Sequence, residues 1–361
     1  MPEKQTSEPR SEWHTPEPPL YLQECVDIGA DTGTGNLLGI QPVMTVDDYH
    51  RLEYFEHKLG GYLDEAARRG WISDKTVVVF PEYIGTWLVA LDAPQRVLRA
   101  RSLTVAMLHL ILRRPAGFAQ QLFHARSRDR IKDALFRMHA DRIADAYQQA
   151  FSRLASRFGV TVVAGSVLMP GPTVEQGMLR TGDGPLYNMG AVFHPDGRLD
   201  ERLIKKVHPI PLEEPYTCAA DPAELPHFDT PAGRMGVLIC ADSWYPDTYA
   251  ALRSQGVRFV VVPSYLVPAG IWESPWRGYG RDRTPDDVDL RDLKTITEKE
   301  AWLKYALAGR VGLAGCLAGI NVFLRGTLWD FDSDGSSIAV WEGGHYLSRT
   351  TDAAALLNLW L

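Results

Sequence analysis

Residues 76–83 read TVVVFPEY. A β-branched run without polar interruption suits extended backbone covered on both faces, as in a parallel sheet. Pro81 withdraws the next amide donor, so the run predicts a buried strand over 76–80 with a carboxylate, Glu82, just past its edge. Runs of the same kind recur on both sides. They are Leu37–Met44 (LLGIQPVM), Val160–Ser166 (VTVVAGS), Met235–Ile239 (MGVLI), Phe259–Pro263 (FVVVP) and Gly319–Phe323, with a shorter one at Leu328–Phe331 before a turn at Asp332–Gly335. Helical periodicity separates them. Over Asp47–Arg69 the apolar positions Tyr49, Leu52, Phe55, Leu59, Leu63 and Ala66 share one face, with Asp47 as the expected N-cap and Gly70 past the end. Over Arg130–Phe158 the face runs Ile131, Leu135, Met138, Ile143, Tyr147, Phe151, Leu154, and Gly159 closes it. Shorter helices are expected at Asp247–Gln255 and Leu303–Leu313, and a hairpin at Asn188–His194 to Leu199–Lys205, turned by Pro195-Asp196-Gly197. Strands and helices alternate without repeat or linker, which predicts one α/β domain over 21–361.

The 361 residues carry a net charge of −7, with 45% hydrophobic and 23% charged. That balance disfavours a general nucleic-acid surface, which needs clustered basic excess. The four cysteines, Cys25, Cys218, Cys240 and Cys316, are too scattered for a disulfide framework, and no pair has metal-knuckle spacing, so no metal is expected. Residues 1–20, rich in Pro, Glu, Ser and Thr, read as a flexible tail without the apolar core of a secretory signal. No stretch is apolar enough to cross a bilayer, and a cytoplasmic location follows as the expectation.

Three segments place a reactive side chain where a buried strand ends, the edge at which open α/β sheets bind ligands. Glu82 follows the valine run, and apolar neighbours would raise its proton affinity toward that of a general base and acid. Cys240 closes MGVLI at a strand-to-helix junction, a position that would favour thiolate. In RLIKKVHPIPLEEPY, two lysines leave a strand and carboxylates follow, a setting in which a lysine can face a developing oxyanion. Taken singly, each segment reads more readily as a solvated Glu, a structural Cys and a charged strand exit.

Together and in this order, the three segments resemble the nitrilase superfamily of carbon–nitrogen hydrolases. Pro81-Glu82 resembles the first motif, Lys206-Val207-His208 with Pro211 and Glu214 the second, and Cys240-Ala241-Asp242-Ser243-Trp244-Tyr245-Pro246-Asp247 the third. Gln41, Gly165-Ser166, Asn188 and Arg325-Gly326-Thr327 stand at flanking positions of the same template. The resemblance implies an α-β-β-α sandwich, a homodimer or larger homo-oligomer, no cofactor, and a small-molecule amide as substrate. It implies Glu82, Lys206, Cys240 and Glu214 as the catalytic set, with Ala241, Asp242 and Trp244 beside the substrate. Glu214 is chosen over Glu213 by its distance from Lys206, eight residues. The implied reaction is hydrolysis of an amide or carbamoyl bond through a Cys240 acyl-enzyme. An N-acyltransferase using the same thioester, a nitrile hydrolase and a silent assembly subunit are the alternatives, although Ala241-Asp242 differs from the Trp-Glu that follows the cysteine in members acting on nitriles.

One stretch departs from the pattern. Glu82 and Lys206 lie far apart in sequence, and much of the excess is Ala90–Ser127, expected as a helical insertion. Within it Ser102–Leu112 is uncharged and mostly apolar, flanked by Arg96, Arg99, Arg101, Arg113 and Arg114. It suits a subunit-contact or core helix, a lid that selects apolar acyl groups, or peripheral membrane contact through 96–114. The Trp-rich loop Ile271–Tyr279 is a candidate opposite wall of the same pocket.

Overall fold

The valine run forms a strand buried on both faces, and the reason is what lies on each side of it. The computed structural model describes residues 19–280, 283–349 and 352–361; the expected tail falls outside these up to residue 18. The first half of the chain gives β1 (Leu22–Ile28), β2 (Asn36–Gln41), α1 (Leu52–Arg68), β3 (Thr76–Val79), α2 (Leu103–Arg113), α3 (Pro115–His124) and α4 (Arg130–Phe158). Then follow β4 (Thr161–Val163), β5 (Val167–Pro170), β6 (Leu186–Gly190), β7 (Val192–Phe193) and β8 (Ile204–Lys205). The second half gives β9 (His227–Thr230), β10 (Gly233–Val237), α5 (Pro246–Ser254), β11 (Phe259–Ser264), α6 (Glu298–Tyr305), α7 (Leu307–Arg310) and β12 (Ala318–Phe323). β13 (Ile338–Trp341), β14 (Gly344–Leu347) and β15 (Ala354–Trp360) complete it.

Two six-stranded sheets result, in the orders β1-β15-β2-β3-β4-β7 and β9-β10-β11-β12-β13-β14. The β2-β3-β4 and β10-β11-β12 trios are parallel, so the strand ends that carry chemistry point the same way within each sheet. Period-two alternation splits each central strand between two cores. Leu38, Ile40, Val78 and Val162 pack with Phe55 and Leu59 of α1 and Tyr147 and Phe151 of α4. Leu37, Val77, Val79 and Val163 pack instead with Val237, Val261, Ile320 and Val322 of the second sheet. At the centre of that interface Gly39 lets the sheets approach closely: a Cβ there would lie 2.5 Å from Ile320 Cδ1 and 2.8 Å from Val322 Cγ1. Helices α5 and α7 cover the outer face of the second sheet, with Leu252 over Gly236 and Leu307 over Gly319. The architecture is the α-β-β-α sandwich.

Several elements differ from expectation for local reasons. Asp47 does not cap α1; Asp48 accepts from the Thr45 N–H at 2.7 Å and its hydroxyl at 2.9 Å, which closes a short turn over 46–49, and α1 begins at Leu52. The expected helix at Leu303–Leu313 breaks at Ala306, where ψ is −151°. Gly309 then comes so near the end of α6 that a Cβ there would collide with the Lys304 carbonyl oxygen. Leu328–Phe331 is not one strand but a tight hairpin pairing Thr327 with Asp332 and Leu328 with Phe331. Its turn residue Trp329 donates its indole N–H to the Val97 carbonyl at 2.7 Å.

That last bond ties the hairpin to the insertion. The Leu103 N–H also donates to Asp330 at 2.7 Å, and Arg113 donates to the Asp92 carbonyl at 3.0 Å. Helix α2 therefore lies against the body with Ala106 and Leu110 buried, while Leu108 and Leu112 are 52% and 60% exposed. Among the described residues no helix is long and apolar enough to cross a membrane.

Candidate active site

Each buried charge in this molecule has to find a partner, because a lone one would cost several kcal/mol. Glu82, just past β3, is buried and accepts from the Lys206 ammonium at 2.7 Å and the Asn188 amide at 2.8 Å. Lys206, just past β8, is equally buried and reaches a second carboxylate, Glu213, also at 2.7 Å. Asn188 of β6 donates to Glu213 as well, at 3.0 Å, so it bridges the two glutamates. Glu213 further accepts from the Tyr83 hydroxyl and from the Ile210 N–H at 2.8 Å.

Two carboxylates share one ammonium here, and their surroundings push them apart. Burial, with the Glu213 charge adding to it and Lys206 opposing it, raises the Glu82 carboxyl to about 7. Burial acts on Glu213 too, but the Lys206 charge and the bonds from Lys206, Tyr83 and the Ile210 N–H outweigh it, and its pKa is lowered. Burial works against the Lys206 charge, yet Glu213 and Glu82 hold its pKa well above the ordinary value. The cluster at neutral pH is thus a fixed Glu213⁻–Lys206⁺ pair beside one carboxyl poised to gain or lose a proton.

Cys240 follows the β10 edge in a left-handed backbone conformation, φ 49°. Tyr83, next to Glu82, is also left-handed, φ 62°. Such residues are held at a cost of about 1–3 kcal/mol each and persist where the surroundings fix them. The Cys240 thiol is buried, donates to the Tyr265 carbonyl at 3.8 Å and lies within reach of the Glu82 charge. The expectation of a thiolate is corrected: burial first, then the Glu82 charge, push the thiol pKa well above its ordinary value, and Lys206 does not compensate. The resting form is a thiol whose proton acceptor is at hand.

Asp242 has a different place from the one expected. Its carboxylate accepts from the N–H groups of Val207 at 3.0 Å, His208 at 2.7 Å and Ile239 at 3.2 Å, and is fully buried. It holds the Lys206 exit against the Cys240 turn, and those bonds leave it directed at backbone rather than at a ligand. Glu214 is likewise displaced from the expected role. The Glu213 and Glu214 N–H groups both bond the Ile210 carbonyl, and the turn directs Glu213 to Lys206 and Glu214 to Arg283, 3.3 Å away. The sequence signal for Glu213, an acid adjacent to the motif position, is present but ambiguous by one residue. Tyr83 and Tyr265 carry no signal beyond lying next to strand ends.

Two cavities open on this cluster. The first, about 130 Å³, has Glu82, Lys206 and Glu213 on its wall; the second, about 200 Å³, has Cys240, Ala241 and Trp244. Ile210 and Tyr265 belong to both. Trp244 packs edge-on to Trp302 with ring centroids 4.9 Å apart, and with Trp276 and Tyr279 it forms the aromatic side of the second cavity. The Trp-rich loop thus supplies a wall beside Cys240. Among the described residues no group of three or more His, Cys, Asp or Glu is placed to hold a metal ion.

The family model described as carbon-nitrogen hydrolase matches residues 49–284, a span that contains Glu82, Lys206, Glu213 and Cys240. The chain belongs to the carbon-nitrogen hydrolase family. It is similar to the deaminated glutathione amidase of Yersinia enterocolitica, 31% identical over 142 residues, 36% of this chain and 46% of that protein. It is similar to omega-amidase NIT2 of Danio rerio, 28% identical over 159 residues, 41% of this chain and 52% of that one. The chain thus spans about half the length of these two curated relatives. A solved structure of the amidase from Nesterenkonia sp. AN1, a mutant with acrylamide added at its active-site cysteine, superposes with a TM-score of 0.53. At 14% identity, over 91% of this chain and 93% of that one, it shares the fold of this family member.

Proposed function

We propose that the protein hydrolyses a non-peptide carbon–nitrogen bond of a small amide through a thioester on Cys240. The observation that carries the reading is a buried carboxyl, Glu82, paired with the Lys206 ammonium at 2.7 Å, whose charge also acts on the buried Cys240 thiol. Glu82 takes the thiol proton as sulfur attacks the amide carbon, so thiolate forms only with the new C–S bond. The carbonyl oxygen gains negative charge, which Lys206 and the Ala241 N–H stabilise. Glu82 returns the proton to the nitrogen as the C–N bond breaks, and the amine leaves. Water then gives a proton to Glu82 and its oxygen to the thioester carbon. Collapse releases the carboxylic acid and restores the thiol with that proton. Glu213 keeps Lys206 charged and aimed, and its own charge keeps Glu82 basic.

In this reading the chain acts as a homodimer or larger assembly, a point that light scattering checks. The test of the chemistry is acyl-enzyme trapping: intact-protein mass after mixing with a set of primary amides, with release of ammonia followed in parallel. The expected result is an acyl adduct on Cys240 and stoichiometric ammonia. An adduct elsewhere, or ammonia released equally by Cys240→Ala, overturns the reading.

A further inference from the structure

The first cavity has a composition that the chemistry above does not require. Glu82, Lys206 and Glu213 lie at one end of it. Cys240 lines the second cavity, which meets this one at Ile210 and Tyr265, and its thiol donates to the Tyr265 carbonyl at 3.8 Å. Away from the charged cluster the wall is apolar. Leu103, Ala106, Met107 and Leu110 come from the inserted helix α2, and Leu135 and Phe136 from α4. Trp87 and Trp329 add aromatic surface, their ring centroids 6.1 Å apart. The one further charge on the wall, Lys132, pairs with Asp129 at 3.3 Å. The second cavity differs in kind: His208, Glu214, Arg283 and Glu298 share its wall with the aromatic cluster.

The two halves of an amide have unequal needs. The acyl half stays bonded to sulfur through both steps, so it gains from a dry apolar seat throughout. The amine half leaves between the steps as a polar amine that takes up a further proton from water at neutral pH, and water must enter after it; both favour the polar side, since an apolar wall cannot solvate an ammonium. We infer that the α2 cavity seats an apolar acyl group, so that the substrate is a primary amide of an apolar carboxylic acid. The volume, about 130 Å³, fits a group of roughly benzene size, which a dry cavity of about 150 Å³ accommodates. This inference rests on the amide-hydrolase reading.

The experiment compares kcat/KM along two series in the full-length protein. Primary amides from acetamide to hexanamide, with phenylacetamide, vary the acyl half; N-alkylacetamides from methyl to pentyl vary the amine half. The acyl series is expected to rise about fourfold per added methylene until the cavity is full, and the N-alkyl series to stay flat. Met107→Trp, at a half-buried position facing the cavity, is expected to lower the hexanamide-to-acetamide ratio at least tenfold, with thermal unfolding confirming a folded variant. A flat acyl series, a rise along the N-alkyl series, or an unchanged ratio in folded Met107→Trp overturns the inference while leaving amide hydrolysis standing. If wild type hydrolyses no amide and Cys240 takes no acyl group, the functional reading falls and this inference with it.

Discussion

The wall of the site that carries Glu82, Lys206, Glu213 and Asn188 is closed to substitution by its own bonding: two ion pairs of 2.7 Å and an amide bridging both acids. The wall made by α2 is held otherwise, by a few backbone ties to the 327–332 hairpin and by apolar contact on one helix face. Direction is fixed in the first, because charge and hydrogen bonds demand particular atoms at particular places. In the second only volume and polarity are fixed, and shape can drift with side-chain size. The first therefore determines which reaction is run, and the second which molecules reach it.

The largest expected effect lies at Cys240, on the wall of the second cavity beside the charged cluster. Cys240→Ala removes the nucleophile and is expected to lower turnover by about 10⁴-fold or more, with far-UV circular dichroism unchanged. Substantial residual turnover would mean that the charged wall alone runs the reaction, and the division drawn above would collapse.

Next in size is the contrast between neighbouring acids. Glu213→Gln takes one of two carboxylates from a buried ammonium, and is expected to lower kcat/KM by about 10²–10³-fold and stability by about 3 kcal/mol. Glu214→Gln, whose carboxylate faces Arg283, is expected to cost less than about tenfold. Steady-state kinetics on both variants, with melting curves, decides it, and a reversed order would assign the Lys206 partnership to Glu214 after all.

The pH profile sharpens the same wall. Glu82 acts as a base when ionised, and its carboxyl is pushed up to about 7 by burial, with Glu213 contributing. kcat/KM is thus expected to rise with pH through about 7 and to fall about tenfold per unit below it. In folded Glu213→Gln the acid limb should move to lower pH, because a negative neighbour that raised Glu82 is gone. A limb that stays in place would show that burial alone sets it.

The charged wall is largely legible in the sequence and the apolar wall is not. Glu82 and Cys240 each close an apolar run and Lys206 leaves the strand after a predicted hairpin turn, so local pattern locates them at strand ends. The choice between Glu213 and Glu214 depends on how one turn is wound, which two adjacent acids do not encode. The insertion resists reading because its meaning lies in contacts more than 200 positions away, Leu103 with Asp330 and Val97 with Trp329. The same holds for β1 and β15, which local pattern does not reveal: they are chain-terminal strands that pair with each other in parallel, Leu22 with Ala354 through Ile28 with Leu359. Where partners are local or a residue type is rare the sequence speaks; where pairing spans the chain it is silent.

The smallest predicted effect tests whether α2 is a wall at all. Leu110 and Leu112 lie two residues apart on this helix, so they point to different faces. Leu110 is buried at 3% exposure and lines the cavity, whereas Leu112 is 60% exposed. Leu→Ala in a core costs about 2–5 kcal/mol, the spread reflecting how much surrounding contact is lost. Leu110 borders empty space on one side, so part of that contact is already missing, and Leu110→Ala should fall near the low end, about 2 kcal/mol. Leu112→Ala should change stability by less than about 0.5 kcal/mol. Chemical denaturation of both variants checks the pair. If the two leucines cost the same, helix α2 does not rest on the body through its Leu110 face, and the apolar cavity it is said to enclose has no inner wall.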